Sequence, residues 1–259
     1  MTAVSQIFHY RTLLWFLTLR EWKDQTRRTF LGYFWVIAYP FVLGAVVSVL
    51  FGGLVPSHGH SYASVVLCAM IPWQLFSQTL LSGCDLLPKH HEILRKVRFP
   101  TEVLFLAHIL CRSAQFFISL GILSLFLYAW GYSLSTRVWQ IFPWLLLQNF
   151  FAMGLLFMLA PASLVTRDIE HGLGLVVLLW FYATPILYPL SWLSKVLPTK
   201  LLPLYHANPM VGIVEGYRSA LLGTPGPTCP GFITSEVAVI FLVGYFLYKK
   251  AEPYFAQNA

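Results

Sequence analysis

The chain has 259 residues, 58% of them hydrophobic and only 10% charged, with a formal net charge of +7. An ordinary soluble domain carries about 25% charged residues, so this composition excludes a chain solvated by water alone and indicates a polytopic membrane protein. At about 20 residues per crossing, the length suits about six spans with short loops and leaves no room for a separate soluble catalytic domain.

In chain order, residues 1–29 read as an amphipathic interfacial helix. Ile7, Phe8, Leu14 and Leu17 suit one side, Arg11, Arg20, Lys23 and Asp24 lie elsewhere, and Trp15 and Trp22 suit headgroup level. The uninterrupted apolar part, 13–19, is too short to cross hydrocarbon. The first span is expected over residues 31–54, free of Asp, Glu, Lys and Arg, and the second over 62–84, interrupted at Pro72.

Residues 85–100 form a short basic island between long apolar runs, bracketed by Pro88 and Pro100. Ile93, Leu94 and Val97 fall at helical spacing, and Lys89, Arg95, Lys96 and Arg98 take other positions, which describes a helix lying flat at a membrane surface. Pro88 suits a first turn, and Pro100 ends the helix by pushing Phe99 out of the helical region. Patterning alone leaves two readings open: a solvated basic loop held by anionic lipid, or a docking element offered to a cytoplasmic partner.

The third span is expected over 103–130, with Arg112 near one end reaching for the interface, and the fourth over 139–165. A smaller charged island follows with Arg167, Asp168, Glu170 and His171. The fifth span is expected over 173–190. Residues 191–230, rich in proline, read as re-entrant half-helices, and the sixth span covers 232–248, stopped by Lys249 and Lys250. With this map, twelve Lys and Arg fall on the side of the termini and islands and four on the other, with Arg112 inside a span. The bias puts both termini in the cytoplasm and explains the basic balance without nucleic acid.

No glycine is followed by lysine, so the Gly-Lys-Ser/Thr loop that cradles nucleotide phosphates is missing and the chain is not expected to hydrolyse ATP. The ten acidic residues are scattered. Asp168, Glu170 and His171 form the nearest approach to a general-base cluster, which a helix start explains more simply. His58, His60, His90 and His91 have too few companions for a metal site, and the four cysteines have no metal-ligand spacing.

Aromatic residues make up 17% of the chain. Trp35 and Tyr39 share a helix face, and Trp180 and Phe181 lie deep in the fifth apolar run, whereas Tyr33 and Tyr188 equally suit an interfacial belt. A sugar ring has an apolar C–H face and a polar rim, so rigid aromatic platforms suit a passage along which a glycan slides.

Several stretches together carry a family resemblance. Leu31-Gly32-Tyr33-Phe34-Trp35 with Pro40, Ile71-Pro72-Trp73-Gln74-Leu75-Phe76-Ser77, and Lys96-Val97-Arg98-Phe99-Pro100 are followed in order by Arg167-Asp168-Ile169, Thr184-Pro185-Ile186-Leu187-Tyr188, and Asn208-Pro209-Met210 with Glu215 and Arg218. The ordered set resembles permease subunits of bacterial ABC-type polysaccharide and polyol-phosphate exporters, nearest to lipopolysaccharide O-antigen exporters, with capsule and teichoic-acid exporters close behind. The resemblance implies a non-catalytic homodimer in the cytoplasmic membrane with a channel at its interface, clasped by two copies of a nucleotide-binding subunit that uses ATP and Mg; this chain itself binds no cofactor. It implies that Lys89, Glu92, Arg95, Lys96 and Arg98 form the coupling helix docked on that ATPase, with Arg167, Asp168 and Glu170 in a second cytoplasmic loop. It further implies an outer gate around Asn208, Pro209, Glu215 and Arg218, and a polysaccharide substrate on a lipid anchor. Lys89-His90-His91 departs from the more ordinary polar stretch of such relatives.

Overall fold

The structure, a computed structural model, describes residues 10–26, 34–51, 61–90, 99–132, 135–166, 168–188 and 202–258, with single positions at 190, 193 and 198. Every regular element among them is helical. In chain order these are α1 (Arg11–Thr26), α2 (Phe34–Phe51), α3 (Tyr62–Gly83), α4 (Leu86–Lys89), α5 (Glu102–Ala129), a 3-10 turn (Val138–Gln140) running into α6 (Ile141–Val165), α7 (Asp168–Tyr182), α8 (Leu202–His206), α9 (Pro209–Leu222) and α10 (Pro230–Asn258).

Local chemistry sets the helix ends. The Ser61 hydroxyl accepts from the Ser64 amide and caps α3. Asp168 and Glu170 sit in the first turn of α7, where carboxylates complement the helix dipole. At α9, Asn208 caps the Met210 amide, Pro209 takes the first helical position, and Gly223 closes the helix with φ 72°.

Among the described residues, four helices are long and apolar enough to cross a bilayer: Tyr62–Gly83, Glu102–Ala129, Val138–Val165 and Pro230–Pro253. The other two apolar helices, α2 and α7, have 18 and 15 residues. At 1.5 Å per residue, α7 spans about 22 Å, short of the ~30 Å hydrocarbon core. Four of the six expected spans therefore reach crossing length among the described residues, and the flanks of the first, 31–33 and 52–54, lie outside them. The helix of the last apolar run also does not stop at Lys249 and Lys250; it continues to Asn258, because Lys249 finds carboxylate partners in Glu102 and Glu252.

Lipid offers no hydrophobic drive for helices to associate, so close packing and buried hydrogen bonds must hold the bundle together. α6 and α10 meet backbone to backbone: a Cβ on Gly244 would lie 2.1 Å from the Gly154 carbonyl oxygen, and one on Gly154 would lie 2.8 Å from Cα of Phe241. α3 is the central helix, with 78% of its most apolar stretch buried, against 22% for α10 at the periphery. Around it Phe76 stacks on Phe151 at 5.2 Å, and the Trp180 ring meets both edge-on.

The two ends of the bundle are fastened differently. At one end, Thr101 and Glu102 at the start of α5 bond to Tyr248 and Lys249 of α10, and the Ser163 hydroxyl of α6 donates to the Cys84 carbonyl. α1 lies on α5 at this same end. At the other end α9, at 14 residues too short to cross, packs against α3, α6 and α10.

Candidate functional site

Three helix stripes converge on one cavity of about 790 Å3. α2 contributes Tyr39, Leu43, Val47 and Phe51, each one turn apart. α3 contributes Met70, Trp73, Gln74, Ser77, Gln78 and Leu81, and α7 contributes Gly174, Val177, Leu178, Phe181 and Tyr182, both at the i, i+3, i+4 spacing of a single face. Among the described residues no charged side chain lines the groove.

Its chemistry is aromatic and neutral-polar. Trp73 is held edge-on by Phe181 at 5.8 Å and packs against Phe76 at 5.6 Å, so the rings that form the wall are fixed. Gln74 and Gln78 stand one turn apart beside Ser77, with Gln78 exposed. Amide side chains facing hydrocarbon are costly, so this face suits water, a polar ligand or another protein. Trp73, Gln74, Ser77 and Gln78 were not singled out as lining residues in the sequence; the signal was their helical spacing within one apolar run.

Beyond the groove, Arg218 of α9 is 2% exposed and organises the turn after α7. Its guanidinium donates to the carbonyls of Val65 (3.1 Å), Ile186 (2.8 Å) and Tyr188 (3.3 Å) and to the Glu215 carboxylate (2.8 Å). The Tyr62 hydroxyl donates to the Leu187 carbonyl, and Tyr188 donates to the Tyr182 carbonyl. Asn208 adds a second tie. Its Oδ1 accepts from the Trp180 indole at 2.9 Å and from the Met210 amide, and its Nδ2 donates to Thr184 at 3.2 Å. α9, the 184–188 turn and the end of α7 therefore form one hydrogen-bonded block. Burial and the hydrogen bond to Tyr188 push the nearby Tyr205 hydroxyl far above the ordinary tyrosine range.

The predicted residues fall into three sets. Tyr39 and Phe181 line the groove, while Trp180 packs into the core on Phe76 and Phe151 and Tyr188 belongs to the Arg218 turn. Asn208, Pro209, Glu215 and Arg218 come together as described. Lys89 is exposed at the end of α4, Asp168 is exposed and Glu170 half-buried at the start of α7. Glu92, Arg95, Lys96, Arg98, Arg167 and Tyr33 lie outside the described residues, as does the Trp35 side chain. Among the described residues no group of His, Cys, Asp and Glu has the geometry to hold a metal.

Arg112 stands at the end of the bundle where α1 packs, but its side chain turns inward and does not reach outward. It is 8% exposed and donates to Ser82 of α3 and to Gln115. Beside it, the buried ring of His108 reaches the carboxylate of Glu21 on α1. Burial raises the pKa of Glu21, but the hydrogen bond and charge of His108, with Arg112 and Lys89, outweigh it and hold the carboxyl below its ordinary value. Nothing in the apolar periodicity marks Glu21, since it sits among six other charged positions of residues 1–29.

Comparison with known proteins bears on what this arrangement serves. Residues 12–222, from α1 to the end of α9, match the family model described as ABC-2 type transporter. The chain belongs to that family. Among ABC-2 relatives, the O-antigen export system permease protein RfbA of Myxococcus xanthus is 30% identical over 219 residues, covering 83% of this chain and 82% of that protein. Two proteins of the same name from Klebsiella pneumoniae are 24% and 23% identical, over 95% and 91% of this chain and 94% and 87% of their own lengths. As an ABC-2 member the chain is the membrane subunit of a transporter and a multi-pass membrane protein.

Proposed function

We propose that this chain is the permease subunit of an ATP-driven exporter that moves a lipid-linked, O-antigen-like polysaccharide out across the bacterial cytoplasmic membrane. Two copies of the chain would meet to form the passage, and two copies of a separate nucleotide-binding subunit would supply the energy from ATP and Mg. The observation that carries this reading is the groove between α2, α3 and α7: aromatic rings beside Gln74, Ser77 and Gln78, with no charge among the described lining residues. Aromatic faces fit sugar C–H surfaces and amides pair with hydroxyls, while the lack of a fixed charge lets a long polymer pass without being held at one point. The names of the Myxococcus and Klebsiella relatives support the substrate class.

On this reading α2 and α7 are the first and fifth of six spans, and α8 and α9 are the re-entrant pair at the outer end, with Asn208, Pro209, Glu215 and Arg218 holding the outer gate. α4, with Lys89, leads into the coupling island of Glu92, Arg95, Lys96 and Arg98 at the cytoplasmic end, beside the second loop of Arg167, Asp168 and Glu170. Both termini are then cytoplasmic. Export of capsular polysaccharide or teichoic acid would use the same groove chemistry.

The test is reconstitution in proteoliposomes of the chain alone and with a candidate partner nucleotide-binding subunit, supplied with lipid-linked polysaccharide. ATP-dependent translocation that requires both subunits is expected; translocation or covalent processing of the glycan by the chain alone overturns the proposal. Glu92→Ala combined with Arg95→Ala is expected to leave the protein folded and ATP hydrolysis uncoupled from export.

A further inference from the structure

The ring of His108 is fully buried, and both of its nitrogens face oxygen acceptors. Nδ1 meets a carboxylate oxygen of Glu21 on α1, and Nε2 lies 3.1 Å from the Thr79 carbonyl on α3. A hydroxyl also approaches Nε2, that of Ser82 at 3.4 Å. That hydroxyl spends its hydrogen on the Gln78 carbonyl and accepts from Arg112, so it has none to offer the ring. A neutral imidazole has one N–H and one lone pair and cannot donate from both nitrogens. The protons therefore number two for this pair of contacts: one on Nε2, and one shared along the link between Nδ1 and Glu21. The cationic Arg112 and Lys89 nearby favour the carboxylate form of Glu21, which assigns that second proton to the ring.

We infer that His108 and Glu21 form a proton-dependent latch that fastens the interfacial helix α1 to α5 and α3, complete only while His108 is an imidazolium and Glu21 a carboxylate. Deprotonating Nδ1 would set a lone pair against the carboxylate at close range, and protonating Glu21 would remove the charge that holds the imidazolium in a buried site. The latch is lost as pH falls through the lowered titration of Glu21, and it is complete only while Nδ1 keeps its proton.

The charged and titratable groups facing the pair among the described residues are few. α5 supplies Arg112, which bonds to Ser82 and Gln115, and the buried thiol of Cys111. α4 and the turn after it bring Lys89 and His90 to the shallow cleft over Glu21, and α1 itself brings Arg20 and Asp24, which pair with each other at 3.8 Å at the exposed rim. α3 adds no ionisable group to this contact, only the Thr79 carbonyl and the Ser82 and Gln78 polar atoms. Asp24 is exposed and already paired with Arg20, so Glu21 is the carboxylate that meets the ring.

The consequence reaches beyond α1. Thr79 and Ser82 are on the same helix as Gln74 and Gln78 of the groove wall, so the latch joins the surface helix directly to the helix that lines the groove. Its state can therefore be read without any transported substrate, and its failure is separate from failure of the proposed export.

The experiment uses the full chain in lipid nanodiscs of neutral headgroup. Ring 15N shifts of His108, assigned by their loss in His108→Gln among the eight histidines, report its protonation directly. Amide hydrogen exchange of residues 11–26 reports the attachment of α1. The expected result is an imidazolium pattern at neutral pH, and α1 exchange that rises about ten- to a hundredfold as the shifts move to the neutral pattern, the size expected for losing a buried charged hydrogen bond. Glu21→Gln, a near-isostere whose amide can donate to a neutral Nδ1, should abolish the step across the same range while the rest of the bundle stays protected. A neutral tautomer at neutral pH overturns the inference. So does a titration of His108 that leaves α1 exchange unchanged, or a Glu21→Gln protein that keeps the wild-type step.

Discussion

The Trp180 indole donates to Asn208 Oδ1 at 2.9 Å, and that same oxygen caps the Met210 amide. One side chain thus starts α9 and fastens it to the last turn of α7, the helix whose Phe181 and Tyr182 face the groove. Trp180→Phe keeps the ring packing on Phe76 and Phe151 but removes the donor, and is expected to cost about 1 kcal/mol. Asn208→Ala loses the cap as well and should cost about 1–2 kcal/mol. Because both act through one atom, the double variant should fall short of the sum by about 0.5–1.5 kcal/mol, read from unfolding in detergent or nanodiscs. Full additivity would show that the two helices are not tied through Asn208.

Arg218 is a harsher case, since it is buried against three backbone carbonyls that have already surrendered to it and beside a carboxylate that needs its charge. Arg218→Met leaves Glu215 as a largely buried lone anion, and a loss of about 3–5 kcal/mol is expected. Arg218→Lys keeps the charge but lacks the planar fork that reaches Val65, Ile186 and Tyr188 together, so it should restore only part of the loss. Converting Glu215 to Gln alongside Arg218→Met should recover stability, because the stranded charge is gone; thermal unfolding midpoints of the three proteins check the order.

Apolar runs make much of the helical framework legible. The apolar stretches 62–84, 103–130 and 139–165 coincide with α3, α5 and α6 to within one or two residues, because an apolar run that long has no other way to satisfy its backbone in lipid. Two kinds of feature are not written that way. Trp180 and Phe181 are neighbours in sequence and equally aromatic, yet a 100° turn of α7 sends one into the core and the other into the groove, and only the position of α3 decides which. Glu21 and His108 are 87 residues apart, and each looks like an ordinary interfacial or lone buried residue until α1 is laid on α5. Hydropathy finds the elements; pairings between polar residues on different elements depend on how those elements dock.

Glycine positions offer a sharp contrast between packing and propensity. A Cβ on Gly244 would overlap the Gly154 carbonyl oxygen at 2.1 Å, and backbone cannot move aside as a side chain can. Gly244→Ala should force α6 and α10 apart and cost about 1–3 kcal/mol. Gly121 sits in α5 with open space where its Cβ would be, so Gly121→Ala should be neutral or stabilise by up to about 1 kcal/mol. Opposite signs for the two substitutions in unfolding experiments are the expected outcome, and equal tolerance of both would contradict the close approach of the two backbones.

The groove chemistry itself can be separated from folding. Gln74 and Gln78 lie on the groove face of α3, Gln74 half-buried and Gln78 exposed, so Gln74→Leu with Gln78→Leu removes two amides at nearly constant side-chain volume. If those amides meet sugar hydroxyls as a chain passes, each contact contributes on the order of 1 kcal/mol, and losing both should slow export about tenfold or more, compared at equal amounts of folded protein. A second substitution serves as the control: Leu110→Gln on α5 adds an amide at a surface position away from the groove, 44% exposed, and should leave the transport rate alone. Cells carrying each variant beside the partner ATPase report the result as polysaccharide reaching the surface against polymer retained inside. Wild-type export by the double leucine variant would mean that the aromatic rings alone, Tyr39, Trp73 and Phe181, carry the sliding surface, and would move the search for polar contacts to Ser77 and Tyr182.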